Sequence, residues 1–415
     1  MHRKITFLVT IALLFILLGV GTAAALTWQN ETVDSGGYGE YSSIALNVAG
    51  EPRVSYYDRA HGDLRFAKNN YDGGGWRIET VDSAGDVGLY SSLALTSAGT
   101  PCISYYDYTN GNLKYAAYSG SAWTIQTVDS AGDVGLYTSL TLNDYGEPCI
   151  SYYDQTNGDL KYAVHAPSGW TIQTVDSAGD VGQYVSLARD YADEPCISYF
   201  DATNYRLKYA VFNGAVWQIQ TVDAAGFAGM YTSLAMDIYG RPRISCYDMT
   251  NANLLYAAYN SSAWQIQTPD ATGAVGKYSS LRLDGSGMPH ISYYDETNQD
   301  LKYAALNGLS WQVDTIDTSG VVGQYTSLVP DGAGNPQISY YNGTAGALKI
   351  AHPPLPAPTV TAMNPPNGVL GYTFAATITG ANFHPGASVR LSNTGYPDIW
   401  GSGVVVTSPT TITCT

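Results

Sequence analysis

Basic side chains are scarce in this sequence of 415 residues: 19 Lys and Arg stand against 35 Asp and Glu, for a formal charge of −16. Without a basic patch the chain has no electrostatic footprint for nucleic acid. The same shortage argues against anionic membrane surfaces. An acidic surface suits solubility outside the cell, and it is compatible with divalent cations such as calcium. Cysteine is also scarce, with five residues. The six histidines are scattered and never fall into H-E-x-x-H or another metal spacing. The serine-hydrolase elbow G-x-S-x-G is missing. No run of ten or more residues carries apolar side chains at helical spacing.

Long apolar runs are missing too, apart from one at the start. His2-Arg3-Lys4 precede the almost wholly apolar residues 5–20, and Ala23-Ala24-Ala25 offer a cleavage site. This pattern predicts a signal peptide over residues 1–25, removed on export, with no membrane insertion afterwards. The mature chain is then secreted or held at the cell surface. The sequons at Asn30, Asn260 and Asn342 become glycosylation candidates there.

What the sequence has in abundance is repetition. Trp28, Trp76, Trp123, Trp170, Trp217, Trp264 and Trp311 are spaced 48 and then five times 47 residues apart. A fixed period of this size signals a solenoid, propeller or array. Each unit holds four runs rich in Tyr, Thr, Ile, Val and Trp. In one unit these are residues 137–142, 149–153, 160–164 and 170–175. Such residues suit a pleated, half-buried surface. The segments between them, NDYGEP, DQTNGD and HAPSG, carry turn residues. Four short antiparallel strands per unit describe a propeller blade. The repeat region opens on a lone fourth strand, residues 28–33, and ends after a third strand, residues 348–351. Adding the first to the sheet of residues 325–351 closes a seven-membered ring. The expected fold is therefore an all-β, seven-bladed β-propeller over residues 26–352.

Doublets such as Tyr56-Tyr57, Tyr105-Tyr106, Tyr152-Tyr153, Tyr293-Tyr294 and Tyr340-Tyr341 recur. Neighbouring strand residues point to opposite faces, so one ring must face the preceding blade and the other the following one. The repeated Trp and Tyr residues are read first as blade packing, and second as platforms for sugars. Cys102, Cys149 and Cys196 share one position in successive units. Packed sheets lie about 10 Å apart, whereas bridged cysteines need Cα atoms about 4.4–6.8 Å apart. No disulfide framework is expected.

The repeat stops at His352. Residues 353–357 form a proline-rich, semi-rigid linker. Beyond it come Asn364-Pro365-Pro366-Asn367-Gly368, then Ile378-Thr379-Gly380-Ala381-Asn382-Phe383, Gly386-Ala387-Ser388-Val389 and residues 408–414, SPTTITC. Residues 358–415 thereby resemble the IPT/TIG family of immunoglobulin-like domains. The resemblance implies a partial β-sandwich, because the chain ends where further strands would follow; an unpaired edge and a thin core are expected. Repeated blades joined to such modules are similar to extracellular surface proteins of prokaryotes.

The loop entering each first strand and the turn between strands two and three must share one end of the ring. Both carry aspartates: Asp82, Asp129 and Asp176 with Asp86, Asp133 and Asp180 in the first, and Asp107, Asp154 and Asp201 in the second. These nine are the candidate ligand-binding residues. Three readings are open. The carboxylates cap their own turns; or they hold calcium, which takes about six to eight oxygen ligands; or with Tyr rings they hold a polar ligand such as a glycan. The turns at residues 154–159 and 295–300 bear a faint likeness to a calcium loop.

An active site needs residues that break the symmetry, whereas residues 80–88, 127–135 and 174–182 are identical. No catalytic residue, cofactor or metal ligand is therefore assigned. The function expected is binding or adhesion to a glycan or surface protein through the Asp/Tyr-rich loop face. The alternatives are a glycoside hydrolase and a structural spacer of a surface layer. The hydrolase would be of the sialidase-like propeller type, whose Asp-box the loops loosely resemble, with one extra residue and without a cluster of arginines.

Overall fold

A computed structural model describes residues 27–70, 75–223, 226–354, 358–365, 373, 375–381, 383, 388–391, 399–408 and 410–415. The expected signal peptide and residues 355–357 of the linker lie outside the described residues. So do residues 366–368, 382, 386, 387 and 409 of the quoted tail motifs.

Strand β1 (Gln29–Ser35) leads into β2 (Tyr38–Leu46), β3 (Pro52–Asp58), β4 (Asp63–Asn69) and β5 (Trp76–Asp82). The last four form one antiparallel sheet in the order β2-β3-β4-β5. Five more sheets of the same order follow, over residues 87–129, 134–176, 181–221, 228–270 and 275–317. The seventh, over residues 322–352, has only three strands of its own, and β1 supplies the fourth. Glu31 lies opposite Ile350 and Thr32 opposite Lys349 in antiparallel register. The ring closes as the phase of the repeat required, and the chain is an all-β, seven-bladed propeller.

The first strands are innermost, and hydroxyl groups stitch them together. In every blade a first-strand amide donates to a serine of the blade before, as from Leu140 to Ser92 and from Ile44 to Ser327 across the seam. A second set of hydroxyl pairs, such as Ser104 with Thr138 and Ser198 with Thr232, is buried beside them. One link is missing. Val185 takes the place of the Ser or Thr found in the other blades, and the buried Ser151 hydroxyl opposite it has no partner.

Further out, each tryptophan spans the boundary with the preceding blade. Trp170 meets Tyr115 edge-on at 5.4 Å and its indole N–H donates to Gln126 at 2.9 Å. Trp217 repeats this on Tyr162 and Gln173. The outer aromatics are blade packing, with a polar handle for the indole.

The first strands begin three residues earlier than expected: Val134, not Tyr137, opens the strand ending at Leu142. The difference is a double bulge, with register shifts at Val134/Leu136 and Leu136/Ser139. Gly135 is required there. A Cβ on it would lie 2.7 Å from the Cα of Leu113 in the neighbouring blade. Bulges of this kind re-aim side chains, and here they re-aim Tyr137.

The tail contains a four-stranded sheet, Thr359–Asn364, Ala376–Ala381, Thr411–Cys414 and Val405–Ser408 in spatial order, and a short pair Arg390–Leu391 with Ile399–Trp400. Ala376, Ile378, Phe383, Ile412 and Cys414 form its core.

Candidate functional site at the acidic mouth of the channel

The two Asp-bearing loops do share one end. The amide of Asp86, at the entry to blade two, donates to Thr109 in the turn of the same blade, and Tyr108 N–H returns to the Asp86 carbonyl. Six of the nine candidate aspartates are sealed beneath that end. Asp82 accepts from the Tyr105 hydroxyl at 2.6 Å, Asp129 from Tyr152 at 2.7 Å and Asp176 from Tyr199 at 2.7 Å. Asp107, Asp154 and Asp201 cap their turns, each accepting from an Asn amide and side chain, Asn110, Asn157 and Asn204. One lysine on the third strand bridges each pair. Lys114 lies 3.1 Å from both Asp82 and Asp107. Lys161 joins Asp129 and Asp154, and Lys208 joins Asp176 and Asp201.

Burial alone would raise the Asp82 carboxyl; the Tyr105 hydroxyl, the Ala84 amide and Lys114 outweigh it and hold it below its ordinary value. Asp176 is lowered in the same way through Tyr199, Ala178 and Lys208. Burial pulls the Lys114 ammonium down, and its two aspartates more than reverse this. These tyrosine–aspartate–lysine–aspartate clamps hold one blade to the next. In the turn at residues 154–159, the cationic partner of Asp154 is Lys161 at 2.9 Å. No three His, Cys, Asp or Glu side chains converge as a metal site among the described residues.

Asp86, Asp133 and Asp180 are different. Each is half-buried at the surface of the mouth, with one oxygen held by the second tyrosine of the preceding blade's doublet: Tyr57 at 2.7 Å, Tyr106 at 2.6 Å and Tyr153 at 2.7 Å. The doublets thus face both neighbours, the first ring toward the preceding blade's aspartate and the second toward the following blade's.

Inside this rim is a feature that sequence reasoning passed over. Tyr41, Tyr90, Tyr137, Tyr184, Tyr231, Tyr278 and Tyr325 form a closed ring around the channel, with successive centroids 4.4–4.7 Å apart. All seven have left-handed backbones, φ +52° to +56°, a conformation that a bulky side chain takes only under constraint. Strain of this kind gathers at functional sites. The ring lines a cavity of about 210 Å³ together with Ser42, Ser91, Thr138, Val185, Thr232, Ser279 and Thr326. Burial, then the neighbouring phenols, raises the Tyr90 and Tyr184 hydroxyls far above their usual range, so these two phenols are neutral. The signal was available: a tyrosine two residues after the loop's glycine occurs in every unit without exception.

The rim breaks the sevenfold symmetry. Blades two to four begin with Asp86, Asp133 and Asp180, but Phe227 takes this position in blade five, half exposed. Its partner in the preceding doublet is Phe200, not Tyr, so hydroxyl and carboxylate are lost together. Tyr205, with φ +57° where blades one to three have glycine, packs against Phe227 at 5.3 Å with the ring planes tilted by 52°. The rim is thus acidic on one arc and aromatic on the next. The opposite end of the ring bears its own exposed rings, Tyr145, Tyr191 and Tyr239.

The remaining candidates fall as follows. Asn30 and Asn260 are exposed; Asn342 is buried, 5 % accessible, and caps Ala345, so in the folded chain it is closed to glycosylation. All five cysteines are free and buried. Burial pushes the Cys102 thiol up to about 11.

No family model and no curated protein matches the chain. Solved structures do. A chain described as YCF48 bound to D1 peptide aligns with TM-score 0.53 and 12% identity, over 80% of this chain and 96% of that one. A polysaccharide lyase, an ulvan lyase, aligns with TM-score 0.51 and 13% identity, over 76% and 95%. A fungal alcohol oxidase in complex with copper aligns with TM-score 0.53 and 12% identity, over 94% and 92%. At these identities the likeness is one of fold, and the fold in common with this chain is the β-propeller.

Proposed function

We propose that the chain is an exported binding propeller of the cell surface. It recognises a glycan or a surface protein through the acidic mouth of its channel. The signal peptide over residues 1–25 carries it out, and the tail from residue 358 is an IPT/TIG-like spacer. The observation that carries this reading is the contrast between core and rim. Six candidate aspartates are consumed as clamps, whereas Asp86, Asp133 and Asp180 stay at the surface, next to the aromatic arc of Tyr205 and Phe227. A carboxylate arc beside exposed rings offers what sugar recognition uses: acceptors for hydroxyls and an apolar face for the ring. One fold neighbour is a polysaccharide lyase and another is seen with a peptide, so both ligand classes have precedent on this architecture. The carboxylate pairs Asp82–Asp107, Asp129–Asp154 and Asp176–Asp201 are buried around lysines, which favours binding over hydrolysis.

A glycan and surface-extract array, with and without calcium, tests this on the folded chain. Asp86→Asn/Asp133→Asn/Asp180→Asn is expected to weaken the captured ligand at least tenfold. Tyr145→Ser/Tyr191→Ser/Tyr239→Ser at the opposite end is expected to leave it unchanged. The reverse pattern would move the site to the other end.

A further inference from the structure

We infer that the ring of seven tyrosines is a binding site for an ammonium group, either a small free amine or a lysine side chain of a partner. This concerns the channel and not the outer rim, and it holds whether or not the rim takes a glycan.

The geometry comes first. A regular heptagon with the observed edge of 4.6 Å has a circumradius of about 5.3 Å, too small for seven rings to lie face-on to the axis, so an entering group meets their edges and hydroxyls. Neighbouring ring planes differ by 42–55°, which brackets the one-seventh turn of about 51° between blades of a seven-membered ring. The planes therefore run along the channel axis, and a group entering on that axis meets all seven side chains alike. The hydroxyls have only each other as neighbours within the ring, which leaves acceptor lone pairs for an N–H donor.

Size and charge then select the guest. A cavity of about 210 Å³ is smaller than the about 300–1,000 Å³ of pockets that enclose whole drug-sized ligands. It takes a small ion, or one group inserted from outside. The lining has no cationic side chain. The charges that reach the phenols are mainly carboxylates, with Asp180 acting on Tyr137. Glu40, 6% exposed and next to Tyr41 in the chain, is close enough to raise both the Tyr41 and Tyr325 hydroxyls. Its ion-pair partner, Arg59, lies 2.9 Å away with most of its side chain in solvent. Lys277, next to Tyr278 in the chain, is paired with Glu296 at 2.6 Å. An anion would face Glu40 and the carboxylate rim, whereas a cation is drawn to both.

The experiment is calorimetric titration of the folded chain with n-butylammonium chloride, n-butanol and sodium butyrate at constant ionic strength. The account expects one butylammonium per propeller, butanol at least tenfold weaker, and no butyrate binding. Tyr137→Phe/Tyr231→Phe keeps the rings and removes two acceptors; with Glu40→Gln added, it should weaken butylammonium about tenfold with melting unchanged. A capped single-lysine peptide binding more tightly than butylammonium assigns the group to a partner; the reverse assigns it to a free amine. Butanol binding as well as butylammonium, potassium binding better than either, or no heat from butylammonium with a chain that melts normally would each overturn the inference. Tyr205→Ser/Phe227→Ser, which removes the aromatic arc of the rim without removing a charge, separates the two sites: loss of glycan or protein capture with amine binding intact concerns the rim alone.

Discussion

The boundary between blades two and three and the boundary between blades four and five solve the same packing problem in opposite ways. At the first, Tyr152 and Lys161 gather on Asp129, and Lys161 reaches on to Asp154. At the second, Cys246 and Leu255 stand in the places of that tyrosine and that lysine, and they join Val222, Leu234 and Ile244 in an apolar cluster. The backbone register is the same on both sides. Only the tyrosine and the lysine are exchanged: Asp248, 6% exposed, still accepts from the Asn251 amide and side chain, and Asp223 is half-buried. The clamps are thus one way of filling a boundary, and what they add is fixed positions for the acidic loops above them.

Acid should separate the two kinds of boundary most strongly. Asp82, Asp176, Asp270 and Asp317 all have folded pKa values held below the ordinary carboxylate value. The stability they confer is complete above about pH 3.9 and is lost as pH falls through their folded values. Lys114, Lys161 and Lys208 are raised instead. Their contribution is complete below about pH 10.4 and disappears as pH rises beyond it. Thermal melts across pH should show a plateau between these limits and a steep fall at each end. Hydrogen exchange in the acid limb should show the blade four–five boundary loosening last.

A single substitution gives the next largest effect. Lys161→Met strands Asp129 and Asp154, and should cost about 3–5 kcal/mol in denaturant unfolding. A loss below about 1 kcal/mol, the scale of exposed ion pairs, would mean that the clamp is solvated and that the two boundaries do not differ as described.

The smallest effect is a gain. Ser151 has a buried hydroxyl with no partner because Val185 faces it. Val185→Thr restores the hydroxyl pair found at the other boundaries, and should stabilise the chain by about 0.5–1.5 kcal/mol, read from the urea midpoint.

The architecture was legible because it is written in a period. Trp28 before the ring and Leu348 at its end are complementary halves of one blade, and the Tyr doublets imply a neighbour on each side. The chemistry was less legible. Asp82 and Asp107 are far enough apart in the chain to look like two exposed loop residues. Their shared partner Lys114 belongs to a third strand, where a basic residue at this place in six of the seven blades reads as surface. Its recurrence in a chain so poor in Lys and Arg was the clue. The tyrosine ring was hidden for another reason. Side-chain alternation assigns Tyr137 to a sheet face, and only the bulge around Gly135, with its left-handed backbone, turns it into the channel.

Both the ring of tyrosines and the shared acidic mouth exist only if the circle closes through β1. Hydrogen exchange at the seam tests this most directly. The account predicts that alternate amides along Gln29–Ser35, those that face residues 347–352, are protected as strongly as the amides of Ile350 and Lys349. Free exchange over Gln29–Ser35, with the other six sheets protected, would contradict it.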